Sequence, residues 1–233
     1  MKKMPDIAVI GTDTGVGKTV VSLLLMQLLY SRGYAPFYLK PFQTGCSDPH
    51  DEQYSDAAFV YRHTEQLCRQ DPSRSMVLCH PSAKAPFFAA RDAGESVDLD
   101  KVYRKIDDIK MNHAPLVMEA AGGLMVPVTS RLAVVDVVAR IGCRPLLVAR
   151  PGLGTINHTL LSVEALKARD IDLLGVIFVE AAPGATDPVM VEENMEAIRQ
   201  FSGIAVCGVM ARVSDFSRPP KHAYLALERL LFS

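Results

Sequence analysis

The fold is decided by Ile7-Ala8-Val9-Ile10-Gly11-Thr12-Asp13-Thr14-Gly15-Val16-Gly17-Lys18-Thr19. Here an apolar run leads into a glycine-rich turn, and a helix-like run follows over 20–29. A strand, such a turn and a helix form a phosphate cradle, because backbone N–H groups and the helix N-terminus face the anion. In such a cradle the lysine reaches the β- and γ-phosphates and the hydroxyl binds Mg²⁺. The stretch therefore predicts that Lys18 and Thr19 bind a nucleotide and its metal.

The glycine spacing departs from the usual phosphate-loop pattern. G-x-x-x-x-G-K-[ST] needs glycine at position 12, but Thr12 is there, and Gly11 comes one residue earlier. The alternative interpretation is a glycine-rich turn that caps a core helix. The order of strand, loop, Lys-Thr and helix favours a phosphate loop of an unusual subclass.

Length and composition limit the class of protein. A chain of 233 residues with 49% hydrophobic content fits one sizeable domain, which we assign to 1–233. The net charge of −1 gives no electrostatic sign of nucleic-acid binding. We expect no membrane span and no signal peptide, because no apolar run is long enough and the N-terminus leads directly into a strand. The five cysteines form no C-x-x-C pair, so we expect reduced thiols in a cytoplasmic protein.

Apolar runs alternate with helical patterns along the chain. Strands are predicted at 7–10, 36–39, 116–119, 145–149, 174–179 and 205–210, and helices near 18–32, 52–62, 98–112, 132–141, 155–169, 188–201 and 219–231. The strands are nearly continuous apolar runs, which is typical of strands buried on both faces. The pattern predicts a three-layer α/β fold of the P-loop NTPase (Rossmann-like) type, with a mostly parallel central sheet and helices on both faces. We interpret 46–95 as loops and short helices over the site.

Several polar residues fall at predicted strand ends, where ligands bind in such sheets. Lys40 is predicted to close the second strand and could offset charge on a phosphoryl group, although a surface lysine is equally compatible. Glu119 ends the 116–119 strand before two glycines, as a Walker B carboxylate does, and a helix-end charge is the alternative. Asp56 lies near a helix start, where an aspartate is usually a cap.

A second glycine turn, Arg150-Pro151-Gly152-Leu153-Gly154-Thr155-Ile156-Asn157-His158, opens a helix. Its helix N-terminus suits an anion such as a carboxylate, to which Asn157 could donate, and Thr155 could also cap the helix. His158 and the other histidines show no metal-ligand spacing, and we assign them no chemistry.

Taken together, these motifs resemble the dethiobiotin synthetase family. The matching residues, in family order, are Gly11–Thr19, Lys40-Pro41 with Thr44-Gly45, Ser55-Asp56-Ala57, Glu119-Ala120-Ala121-Gly122-Gly123, and Gly154 through Leu161. The resemblance implies an ATP- and Mg²⁺-dependent ligase that forms dethiobiotin from 7,8-diaminopelargonate and CO₂. One amine takes up CO₂ as a carbamate, ATP phosphorylates the carbamate, and the second amine closes the ureido ring.

The resemblance also implies roles for single residues. Lys40 and Lys18 would be catalytic, and Thr19, Asp56 and Glu119 would hold Mg²⁺. The nucleotide contacts would be Thr14, Gly15, Val16, Gly17, Lys18, Thr19, Val20, Asp56, Glu119, Gly122, Glu180 and Ala211. The substrate contacts would be Thr14, Lys40, Thr44, Gly122, Gly154 and Asn157. Family members are homodimers, so the 152–157 turn would come from the partner subunit and bind the substrate carboxylate.

Three positions depart from the family pattern. Gly15 stands where many members carry glutamate, and Glu180 stands where many carry an asparagine that reads adenine. An ionised glutamate accepts hydrogen bonds but cannot donate them, so the identity of the nucleoside triphosphate is open. Phe87 or Phe88 stands where a histidine is common.

Three other functions are compatible with a phosphate loop. A ParA/MinD-like ATPase switch needs a signature lysine near the start of the loop, and Asp13 occupies that position. A cobyrinate-type amide synthase needs an added glutaminase domain, for which the chain is too short. A non-catalytic regulatory domain would not need Lys40 and Thr44.

Overall fold

The computed structural model describes residues 4–180 and 186–232, in which seven strands and eight α-helices alternate. The strands are β1 (Ile7–Gly11), β2 (Phe37–Thr44), β3 (Met76–His80), β4 (Leu116–Glu119), β5 (Arg144–Ala149), β6 (Gly175–Val179) and β7 (Val206–Met210). The helices are α1 (Lys18–Ser31), α2 (Asp56–Arg62), α3 (Pro86–Asp92), α4 (Leu99–Asn112), α5 (Val134–Ile141), α6 (Thr155–Lys167), α7 (Pro188–Ser202) and α8 (Leu225–Phe232). Short 3₁₀ turns lie at Pro72–Ser75 and Lys221–Tyr224.

The strands form one sheet in the order β3-β2-β4-β1-β5-β6-β7, and every neighbouring pair is parallel. Because side chains alternate along a strand, Ile7 and Val9 of β1 face one side of the sheet and Ala8 and Ile10 face the other. Helices α1, α2 and α8 cover the first side, and α4 to α7 cover the second. The predicted three-layer α/β fold is therefore confirmed.

The predicted elements are found with small shifts at their ends, and several local predictions need correction. The prediction that Lys40 closes β2 is wrong, because β2 continues to Thr44. It pairs with β4 only through Leu39 and pairs with β3 from Lys40 onward, so Pro41 lies beyond the β4 ladder. The 46–95 region contains strand β3 as well as α2 and α3.

Two helix ends follow the expected capping chemistry, and the start of α6 differs from the prediction. Gly33 follows α1 with a φ of +78°, and the Asp98 side chain accepts from the Lys101 N–H at the start of α4. Thr155 is the first residue of α6 rather than its cap, because Gly154 takes the cap position with a φ of +89°. No helix in residues 4–180 and 186–232 is both long and apolar enough to cross a membrane.

Candidate active site

The phosphate loop joins β1 to α1 at the carboxyl edge of the central strand. Gly15 and Gly17 have φ values of +69° and +100°, a region that favours glycine. A Cβ on Gly17 would lie 2.7 Å from Cγ1 of Val179, so this position also needs glycine for space. The loop geometry thus depends on β6, which carries Val179.

Lys40, Asp56, Glu119 and Thr19 form a tight cluster next to the loop. The Lys40 Nζ lies 2.7 Å from Glu119 Oε1 and 2.7 Å from Asp56 Oδ2. The Thr19 Oγ1 lies 2.9 Å from Asp56 Oδ1 and 2.9 Å from Glu119 Oε1, and its single proton can serve one of them at a time. Three residues predicted from separate motifs are therefore brought together around one lysine.

Lys40 and Asp56 stabilise each other in their charged forms. Burial by itself would lower the pKa of Lys40, but the carboxylates of Glu119 and Asp56 outweigh burial and raise that pKa. Burial would raise the pKa of Asp56, but Lys40 and the Thr19 hydroxyl lower it below its usual value. Lys40 and Glu119 are 5% and 1% exposed, so water screens these charges little.

Lys18 lies on the loop side of the cluster. Its Nζ donates to the Asp13 carbonyl across 2.9 Å. Burial and the nearby Lys40 lower the pKa of Lys18 to about 8, against the opposing effect of Glu119 and Asp56. A negative ligand in the loop would restore the charged form that burial penalises.

Three supporting residues have roles that the sequence analysis did not predict. The Tyr38 hydroxyl donates to Glu119 Oε2 at 2.9 Å, and burial and Glu119 raise the pKa of Tyr38 well above its usual value. The Gln43 side chain accepts from the Asp56 N–H at 3.1 Å, and Ser55 caps α2. Tyr38 lies two residues before Lys40 on β2 and so shares its face, a signal that the sequence contains.

The oxygen atoms of the cluster suit a hard cation. Among residues 4–180 and 186–232, no three His, Cys, Asp or Glu side chains form a metal site. Thr19, Asp56 and Glu119 instead offer one hydroxyl and two carboxylates. Mg²⁺ is commonly bound by one or two carboxylates together with waters and phosphate oxygens, so these residues fit it.

Two cavities share the phosphate loop as a wall. The Lys40 cavity, of about 640 Å³, is lined by predicted site residues that include Thr14, Gly15, Gly17, Lys18, Thr19, Val20, Lys40, Thr44, Asp56, Glu119 and Gly122. The Glu180 cavity, of about 340 Å³, is lined by Gly15, Val16, Gly17, Val20, Glu180 and Ala211 with six further residues. The residues predicted to contact the nucleotide are thus divided between the two cavities, with Gly15, Gly17 and Val20 lining both.

Gly154 and Asn157 are the two predicted site residues that line neither cavity. Both are exposed at the start of α6. Beside them Leu153 is 95% exposed and Leu161 is 61% exposed. Within one chain, this turn remains separate from the Lys40 cluster.

The Phe87–Phe88 pair lies on α3, with ring centroids 5.1 Å apart, and the guanidinium of Arg91 stacks on Phe88. Pro86 of the same helix lines the Lys40 cavity, whereas the two phenylalanines do not.

Comparison with known proteins gives the family. A model of the "AAA domain" family matches residues 6–220. The ATP-dependent dethiobiotin synthetase BioD of Lysinibacillus sphaericus (strain C3-41) is 34% identical over 217 residues, which cover 92% of this chain and 90% of that protein. The chain belongs to the dethiobiotin synthetase family.

Other relatives agree. BioD of Haloferax mediterranei is 40% identical over 192 residues, covering 81% of this chain and 79% of that protein. The biotin biosynthesis bifunctional protein BioCD of Bordetella avium is 39% identical over 207 residues, and the match covers 39% of that longer protein. The family resemblance inferred from the motifs is therefore confirmed.

Solved structures of other classes share the fold. McdA from Cyanthece superposes with a TM-score of 0.60 at 10% identity, covering 97% of this chain and 96% of that one. The cell division ATPase MinD of Pyrococcus furiosus gives 0.56 at 17% identity, covering 97% of each chain. At these identities the likeness shows the fold alone.

Proposed function

We propose that this protein is an ATP-dependent dethiobiotin synthetase, a cyclo-ligase of biotin biosynthesis that acts on 7,8-diaminopelargonate and CO₂. The observation that carries the proposal is the cluster of Lys40, Asp56, Glu119 and Thr19, which lies next to the phosphate loop in the same cavity. A phosphate loop alone fits many proteins, whereas a buried lysine facing the phosphoryl position fits phosphoryl transfer to a substrate in that cavity.

The reaction has three bond-forming steps. A neutral amine of the substrate attacks the carbon of CO₂ and loses a proton, which gives a carbamate. A carbamate oxygen then attacks the γ-phosphorus, and the bond to the ADP oxygen breaks, which gives a carbamic-phosphoric anhydride. The second amine attacks the carbamoyl carbon and loses a proton to the departing phosphate or to water, the carbon–oxygen bond to the phosphate breaks, and inorganic phosphate leaves as the ring closes.

Lys18 and Lys40 serve the second step. Negative charge moves onto the transferring oxygens, and the two ammonium groups with the loop N–H groups stabilise it. Lys40 is already fixed by two carboxylates, so little reorganisation is needed when the charge develops. Thr14, Thr44 and Gly122 line the same cavity and are the proposed contacts of the diamine and carbamate end.

Thr19, Asp56 and Glu119 would hold Mg²⁺, which fits their oxygen atoms. Bound there, the ion would neutralise part of the phosphate charge.

We propose that Gly154 and Asn157 act in the site of a second copy, in a homodimer. Their exposure outside both cavities supports this arrangement, as do the exposed Leu153 and Leu161 beside them. The α6 N-terminus would then meet the substrate carboxylate. We place the enzyme in the cytoplasm, since the described cysteines are free thiols.

The Glu180 cavity is the proposed nucleobase site, with Ala211 on its wall. A glutamate carboxylate accepts from the exocyclic amine of adenine or cytosine, so ATP is the proposed co-substrate and CTP is the competing one.

The direct test is product formation by purified protein with diaminopelargonate, bicarbonate and Mg²⁺, run side by side with ATP, CTP and GTP. We expect dethiobiotin and stoichiometric phosphate, with no phosphate release above background when the diamine is omitted. If none of the three nucleotides gives dethiobiotin, the ligase proposal is wrong.

Subunit complementation tests the shared site. Lys40→Ala and Asn157→Ala proteins are prepared separately, then mixed under conditions that exchange subunits. After random exchange in a homodimer with a shared site, about half of all dimers contain one subunit of each variant, and each of these carries one intact site of its two, so activity rises toward about a quarter of the wild-type rate. No rise after confirmed exchange would place Asn157 in its own subunit's site.

A further inference from the structure

Arg150 lies beside the phosphate loop. It follows β5, and its Nη2 donates to the Thr14 carbonyl at 3.3 Å. The side chain is exposed, and it forms no ion pair with any residue in 4–180 or 186–232. One long hydrogen bond to a carbonyl leaves most of the five guanidinium donors available.

Gly15 lies beside this guanidinium. A Cβ built on Gly15 would lie 3.7 Å from Arg150 Nη2, in ordinary van der Waals contact, so the atoms of a longer side chain would compete with the arginine for space. Without a side chain at position 15, this face of the loop stays open to the cation.

Arg150 lies on a different face of the loop from the two lysines. It lines the Glu180 cavity with Gly15, Val16 and Gly17, whereas Lys18 and Lys40 line the Lys40 cavity. The lysines serve the transferring γ-phosphate, so a cation on the other face is placed for the phosphates nearer the nucleoside. Arg212 lines the Glu180 cavity too, but among the described residues no hydrogen bond joins it to the loop.

We propose that Arg150 binds a phosphate oxygen at the nucleoside end of the nucleotide, in the part that ATP and ADP share. A planar guanidinium suits phosphate better than a carbonyl, because its paired donors match two phosphate oxygens. This inference rests on the proposed nucleotide site but not on the ligase chemistry. It assigns phosphate binding to Arg150 and leaves the choice of base to Glu180.

The test is nucleotide affinity, measured by titration calorimetry without diaminopelargonate. Wild-type protein, Arg150→Gln and Arg150→Lys are titrated with ATP, ADP, CTP and GTP in the presence of Mg²⁺. Arg144→Gln is the matched control, since it removes an arginine from the opposite end of β5, where an exposed ion pair with Asp172 contributes little to stability.

We expect Arg150→Gln to raise the Kd for every nucleotide by at least about ten-fold, which corresponds to the loss of one charge-assisted hydrogen bond. The affinities for ATP and ADP fall by the same factor. Arg150→Lys recovers part of the lost affinity, and Arg144→Gln binds each nucleotide as tightly as the wild type does. The melting temperature without nucleotide stays unchanged, because the side chain is exposed and forms a single hydrogen bond with the described residues.

Unchanged affinity in Arg150→Gln overturns the inference. A loss confined to one base shows that Arg150 reads the base, and a loss with ATP but not ADP places it on the γ-phosphate; each contradicts the assignment. If the binding pattern is as expected but no dethiobiotin forms, the proposed function is wrong while the role of Arg150 stands.

Discussion

At the residue scale, the site depends on one buried ammonium group between two carboxylates. Lys40 contacts both Asp56 and Glu119, and each carboxylate also lies within reach of the Thr19 hydroxyl. An ammonium group in this position is fixed before any ligand arrives, which is what transition-state stabilisation requires.

Replacing Lys40 tests this role. We expect Lys40→Ala to lower kcat by about 100-fold or more while the Kd for nucleotide changes by less than about three-fold, because the lysine acts on charge that develops during transfer. Steady-state kinetics and a nucleotide titration separate the two effects, with Lys101→Ala on the exposed face of α4 as the control. Equal losses in kcat and affinity would contradict a transition-state role.

Tyr38 supports the buried Glu119. Tyr38→Phe keeps the ring but leaves Glu119 Oε2 without its donor, so we expect a loss of roughly 1–3 kcal/mol in the free energy of unfolding without metal. The Mg²⁺ concentration for half-maximal rate should rise as well. Tyr103→Phe is the matched control, since the Tyr103 hydroxyl forms no hydrogen bond with any of the described residues. Equal stability of the two variants would show that the Tyr38 contact is unimportant.

At the element scale, periodicity predicts six of the seven strands and the long helices but not the edge strand β3. Strand β3 has one neighbour, is half-buried over Val77 to Cys79, and lies in a stretch rich in turn-forming residues. Its five residues therefore carry neither the continuous apolar run of a central strand nor a clear alternation. The continuation of β2 past Pro41 was not predicted either, because this part of β2 pairs with β3, which the sequence pattern does not reveal.

The junction of β1 and α1 depends on contact with β6. We expect Gly17→Ala to abolish measurable nucleotide binding, because its Cβ would lie 2.7 Å from Val179 Cγ1. Gly33→Ala is the control: its φ is also positive, at +78°, but no atom lies within 4 Å, so only about 1 kcal/mol of backbone strain is expected. Adding Val179→Ala to Gly17→Ala should restore part of the affinity. If Gly17→Ala binds nucleotide as Gly33→Ala does, the steric argument is wrong.

Helix α2 extends from the Lys40 cavity toward the Glu180 cavity, and His63 lies at its C-terminal end. Asp56 begins α2 in the Lys40 cavity, and His63 packs on Phe216, which lines the Glu180 cavity. Burial lowers the pKa of His63 below 6.5. The unfolded chain then binds more protons between that lowered pKa and 6.5, so stability is lost as the pH falls through this window.

We therefore expect the melting temperature of the wild type to fall more steeply than that of His63→Phe between pH 7 and 5. Glu52, Arg62 and Asp215 also act on His63, so the comparison uses the difference between the two proteins at each pH. A constant difference across the range would exclude His63 as a source of the pH dependence.

At the scale of the whole molecule, the motifs predicted which residues meet, because parallel strands bring their carboxyl ends to one edge. Lys18, Lys40, Asp56 and Glu119 meet there as expected. The role of Arg150 could not be predicted, since it depends on which loop face the side chain reaches. The place of Asn157 in a partner subunit's site stays a prediction from the family resemblance, because neither the sequence nor the structure of one chain shows the packing of a second copy.

The cysteines test whether the face of the sheet covered by α4 to α7 is inaccessible to solvent in the native protein. Cys68 is exposed, whereas Cys143 is buried in the cluster under α4 to α7, and burial raises its pKa to about 12. The thiolate is the reactive form, so Cys143 reacts only when the cluster opens.

We expect iodoacetamide at neutral pH to modify Cys68 first and to leave Cys46 and Cys143 unmodified until denaturant is added, as followed by peptide mass spectrometry. Because Cys143 immediately precedes β5, its labelling rate should follow global unfolding and fall when nucleotide binds. Labelling of Cys143 as fast as Cys68 in the native protein would mean that this face of the sheet opens without unfolding.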